Sequence, residues 1–111
     1  MVIINKSNRK FRPSKKSGVI ITEKAKIYLK HNEQITLIDN NKNQYDIVKK
    51  SWGYYSTPSI NKRLKNNNHI VCIVKNIENK TFFLFSVNIK KKIEFNKYLK
   101  KNKIKVIKWL T

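Results

Sequence analysis

The sequence predicts an α+β protein: a small antiparallel sheet with two helices, its elements running β-α-β-β-α-β from residue 44 onward. Two observations carry this. Short apolar runs bounded by Asn, Lys and Gly recur along the chain, as strands bounded by turns do. Two of the segments between them place their apolar residues at helical rather than alternating spacing. A length of 111 residues then suits one hydrophobic core built without metals or disulfides.

Residues 1–17 are expected to form a flexible basic arm. Apolar periodicity stops after Ile4, and Pro13 stands among Lys6, Arg9, Lys10, Arg12, Lys15 and Lys16 with no acid nearby; such like-charged segments repel themselves and stay extended. A single α+β domain is expected over 18–111. Its first strands are "GVIIT" and "KIYLK". "QITLID" and "QYDIVKK" then flank the turn-forming cluster "NNKN", which reads as a hairpin.

The stretch "SWGYYSTPSINKRL", residues 51–64, reads as a loop that enters a helix. Thr57 is placed as N-cap and Pro58 as the first helical residue, where its missing N–H is not needed. Ile60 and Leu64, four apart, give the helix 58–67 a short apolar stripe, and "NNN" at 66–68 ends it. "HIVCIVK" is apolar on both faces, the pattern of a central strand, and "KTFFLFSV" pairs with it across "NIEN". Over 89–101, Ile89, Ile93, Phe95 and Leu99 fall within one helical stripe, with Asn88 as N-cap. "KIKVIKWL" sets Ile104, Val106 and Lys108 against Lys105, Ile107 and Trp109 as a C-terminal strand. Together these elements have the order of a ferredoxin-like split βαβ unit. The RNA recognition motif shares that order, but its third-strand pattern is only half present here. Lys80 and Phe82 fit it, whereas Thr81, Leu84 and Val87 do not, so the family is not assigned.

Charge narrows the class of partner. The formal net charge is +20, and Lys, Asn and Ile supply 54 of the 111 residues, so part of the charge follows from AT-rich coding alone. Its distribution is more informative. Residues 1–18 carry six cations and no acid, 42–68 a net +5 and 90–111 a net +8, while 19–41 balance and 69–89 carry a net +1. The neutral blocks are the strand-rich ones, so the charge is expected on the arm, a loop and helices, where an anionic partner would meet it.

Three surfaces follow as candidates for nucleic acid. The first is the arm. The second joins Trp52, Tyr54 and Tyr55 to Lys62, Arg63 and Lys65, where bases would stack on rings and phosphates meet cations and a helix N-terminus. The alternative is that Trp52 and one tyrosine plug the core. The third is the C-terminal helix with Lys90, Lys91, Lys97, Lys100 and Lys101; cations at its start oppose the helix dipole, which invites phosphate as an external reason.

Enzyme chemistry is poorly provided for. Glu23, Glu33, Asp39, Asp46, Glu78 and Glu94 are the only acids, and the two glycines build no phosphate loop. Cys72 is the sole cysteine, His31 and His69 lack helical spacing to each other or to a carboxylate, and no metal or cofactor is expected. The longest apolar run, "IVCIV", is far too short to span a bilayer, and the first residues lack the pattern of a signal peptide, so a cytoplasmic protein is expected. The leading expectation is a non-enzymatic nucleic-acid-binding protein, with RNA and a ribosome-associated setting preferred. One alternative is a protein-interaction or polyanion-binding module. The other is a small metal-independent ribonuclease using Tyr54, Tyr55, Arg63 and His69.

Overall fold

A computed structural model of the chain describes residues 2–4, 9–13 and 18–111. Lys6, Lys15 and Lys16 of the expected arm lie outside the described residues. The chain divides into two compact units, residues 1–56 and 57–111, and the division falls inside "SWGYYSTPSINKRL".

In the first unit the apolar runs are short and so are the strands. β1 (Val2–Ile4) pairs antiparallel with β4 (Lys26–Tyr28), and β2 (Arg9–Phe11) with β3 (Ile21–Glu23). The basic segment thus contributes to two three-residue ladders, too short for alternation to announce them in the sequence. β5 (Gln34–Ile38) and β6 (Gln44–Lys50) form the expected hairpin, with Ile35 opposite Ile47 and Leu37 opposite Tyr45. Asp39 organises its turn: Oδ1 accepts the backbone N–H groups of Asn41 and Asn43, each at 2.9 Å, the local bonding that suits Asp to turns. A two-residue turn, Ser51 and Trp52, leads to β7 (Gly53–Thr57), a strand where a loop was expected; the sheet order is β5-β6-β7.

In the second unit the helix expected over 58–67 shrinks to α1 (Arg63–Asn66). Pro58 is buried and follows a cis peptide bond, and Lys62 precedes α1 without a side-chain cap. The Ser59 carbonyl accepts the Leu64 N–H at 3.1 Å, closing a turn where a first helical turn was anticipated. One buried apolar residue, Leu64, with Ile60 left exposed and no cap, is too little to propagate a longer helix. Leu64 is the residue α1 buries, and the helix lies against β8 (His69–Asn76).

β8 is the expected central strand, between β9 (Phe82–Asn88) and β10 (Ile104–Leu110), antiparallel to both. A 3-10 turn over Ile89–Lys91 and α2 (Lys92–Lys101) connect β9 to β10; the Asn88 side chain accepts the Lys90 N–H at 3.0 Å, as its N-cap assignment requires. Cys72, Val74 and Val87 form the core, joined by Phe85, Phe95, Ile104 and Val106. Burial pushes the Cys72 thiol pKa up.

Two details depart from simple periodicity. A register shift between Val106 and Lys108 places Val106 opposite Val74 and Trp109 opposite Cys72. The bulge therefore moves Trp109 onto the same face as Val106, contrary to unbroken alternation, and its ring meets Phe95 edge-on at 6.0 Å. In α2 the stripe is only half used. Phe95 packs on Phe85 and Trp109, whereas Ile93 is 74% exposed.

The architecture is α+β, with small antiparallel sheets and two helices. The pairing does not follow the ferredoxin-like order. β6 already has β5 and β7 as its two neighbours, and the strands from β8 onward close their own sheet as β10-β8-β9.

Candidate nucleic-acid interface

The aromatic trio is exposed rather than buried: Trp52 at 70%, Tyr54 at 63% and Tyr55 at 42%. The core-plug alternative therefore fails for all three. They do not form one surface, because successive residues of a strand point to opposite faces. Tyr54 shares its face with Lys49, whose Nζ lies 4.9 Å from the ring centroid, and with Ser56, whose Oγ accepts the Tyr45 hydroxyl proton at 3.0 Å. Tyr55 turns the other way and stacks with Trp52, centroids 6.3 Å apart and planes within 20°.

The turn that presents Trp52 and the end of β6 before it are tied to the neighbouring turn at His31 and Asn32. The Ser51 N–H donates to His31 Nδ1 at 3.0 Å, and Lys50 Nζ donates to Asn32 Oδ1 at 2.6 Å. Gly53 follows with φ of +146°, a region that side chains disfavour. The glycine that looked like loop composition is thus what lets a bulky, exposed pair sit on a tight turn. Lys49 and His31 belong to this arrangement and were not singled out from sequence. The strand assignment of 53–57 would have placed Lys49 by alternation.

Lys62, Arg63 and Lys65 belong to the second unit, where all three are exposed. The helix N-terminus expected at Thr57 and Pro58 is absent there, and a four-residue helix offers no dipole of consequence to a phosphate. Lys90, Lys91, Lys97, Lys100 and Lys101 are exposed around α2. Lys91 lies 3.5 Å from Glu94, and Lys100 and Lys101 stand in the last turn, where the dipole favours them.

Of the expected arm cations, Lys10 and Arg12 are exposed, while Arg9 already has partners. Its Nη2 is 3.0 Å from Glu23 Oε2, directly across the β2-β3 ladder, and its guanidinium lies 4.7 Å from the Phe11 ring centroid.

Tyr54 and Tyr55 face opposite ways, and His69 Nδ1 lies 3.0 Å from the Asn67 carbonyl, a local structural contact. No group of three or more potential metal ligands occurs among the described residues, and no helix among them is long and apolar enough to cross a membrane. No protein-family model, curated protein or solved structure matches the chain.

Proposed function

We propose that the chain is a non-enzymatic nucleic-acid-binding protein, taking RNA in preference to DNA, and that it works in the cytoplasm in association with ribosomes. It grips phosphates through the basic arm and the faces of its helices. One observation supports this above the others: in residues 57–111 the only acids are Glu78 and Glu94, and each is already within ion-pair distance of a lysine, Lys103 and Lys91. Lys62, Arg63, Lys65, Lys90, Lys97, Lys100 and Lys101 are exposed cations for which that segment supplies no further acid. Their mutual repulsion favours a polyanion, and the exposed rings of the first unit favour one with unpaired bases, which RNA offers in loops and single strands.

Binding driven by phosphates releases counterions, so the logarithm of affinity falls linearly with the logarithm of salt. Affinity for RNA is expected to drop steeply between roughly 50 and 200 mM salt, with the slope reduced by about 0.7 to 0.9 per lost phosphate contact. Changing Lys97, Lys100 and Lys101 together to Gln should therefore flatten the slope. Affinity that is flat with salt would overturn the proposal. A preparation that keeps a protein partner and no RNA after nuclease treatment would favour the polyanion-module alternative.

A further inference from the structure

The sheet of the second unit has one face covered along its length and one that is covered at Val71 but open over the two rows beyond it. α2 covers the first, setting Phe95 against Phe85 and Trp109. On the other, the strand registers align two cross-strand rows: Lys105, Lys75 and Phe82, then Lys108, Ile73 and Leu84. Phe82 is 59% exposed and Leu84 60%, Lys105 and Lys108 are exposed, and neither row contains an acid.

Two features of this face have no folding rationale. Lys75 and Lys105 are direct partners on neighbouring strands, and like charges so placed destabilise an antiparallel pair. Phe82 leaves most of its ring in water beside them, with Lys75 Nζ 5.5 Å from its centroid. Burial explains neither.

We infer that this face binds single-stranded nucleic acid, one base stacking on Phe82 and its phosphate held between Lys75 and Lys105. An anion between the two ammonium groups turns their repulsion into a shared attraction. A flat ring flanked by cations is how single strands are held without reading sequence. A duplex keeps its base faces inside its own stack and cannot use the ring, whereas an acidic peptide or sulfated polysaccharide would satisfy the lysines and leave Phe82 idle. The inference rests on the nucleic-acid reading above and adds to it a site made of residues outside the arm and the helices.

The test measures binding of a labelled oligouridylate, an RNA duplex of equal length and heparin to the full chain at low salt. The single strand should bind more tightly than the duplex. Phe82→Leu, which keeps an apolar side chain but removes the π-face, should weaken single-strand binding about tenfold, and Phe82→Tyr should preserve it. Lys75→Gln with Lys105→Gln should lower the single-strand salt slope by about 0.7, the loss of one phosphate. Circular-dichroism melting that is unchanged in the Phe82 variants, and no lower than wild type in the double lysine variant, where a like-charge pair is relieved, ties these effects to binding. Equal affinity for strand and duplex, indifferent to Phe82→Leu, overturns the site while leaving charge-driven RNA binding intact. Heparin bound as tightly as RNA, with Phe82→Leu again without effect, assigns the face to a base-free polyanion and also overturns it. Failure to bind either RNA removes the site and the broader reading together.

Discussion

The two units use similar apolar residues to different ends. In the second, a central strand buries Cys72 and Val74 on the face that α2 closes with Phe95, so one contiguous core forms, while Val71 is buried on the opposite face. In the first, the strands divide among a three-stranded sheet and two short ladders, and Val19, Ile20, Tyr28, Leu37 and Ile38 stay exposed; Val48 is its buried hydrophobic residue among those described. A three-residue strand gives one face at most two side chains, which is too few to exclude water. Apolar content alone therefore does not make a core. Elements long enough to share a face do.

The largest effect that should follow is on the second unit. Phe95 touches both Phe85 and Trp109, so Phe95→Ala is expected to cost about 3 kcal/mol through lost burial and a residual cavity. Each unit carries one tryptophan, Trp52 or Trp109, so single-tryptophan variants can follow their urea transitions separately. Read by Trp52, Leu37→Ala in the first unit should change stability by less than about 0.5 kcal/mol, because Leu37 is already 54% exposed. Equal costs for the two substitutions would erase the contrast.

A middle-sized effect should come from the hairpin turn of the first unit. Removing the Asp39 carboxylate leaves the Asn41 and Asn43 N–H groups without their acceptor, and because all three are accessible to water the expected loss is about 1 kcal/mol. The Trp52 transition should move and the Trp109 transition should not. A shift in both would mean that the units unfold together.

What the sequence discloses follows the same division. "HIVCIVK" is long enough and apolar enough to read as a central strand, and Asn88 is an N-cap by type and position, so the second unit was largely legible. Its exceptions are the helix expected over 58–67, which shrinks to Arg63–Asn66 for want of a cap and a second buried apolar residue, a bulge, which one residue can produce, and α2 burying Phe95 while Ile93 stays in water. In the first unit the short ladders lie below the length at which periodicity speaks. The candidate interface was legible as composition and not as geometry: that Trp52, Tyr54 and Tyr55 would be exposed was one of two open readings. That β7 would send Tyr54 and Tyr55 to opposite faces could be seen only once 53–57 was known to be a strand. The rows that join Lys75, Lys105 and Phe82 depend on registers between residues far apart in the chain, which no local pattern encodes.

The smallest effect concerns pH and returns to the first unit. Glu33 accepts the Lys30 backbone N–H at 2.6 Å, and this bond to the charged form holds its carboxyl pKa below the ordinary 4.5. A carboxyl whose folded pKa is depressed contributes stability above its unfolded value and loses it as pH falls through the folded one. The wild-type chain should therefore exceed Glu33→Gln in stability at pH 6, and the gap should narrow as pH drops from about 4.5 toward the lowered value. Comparing the two proteins at each pH cancels the titration of the other carboxylates, because both carry them. The residue is partly accessible to solvent, which screens the interaction, so the gap should be small and should be sought in the Trp52 signal. A gap that widens on acidification would mean that the Lys30 bond does not favour the charged carboxylate.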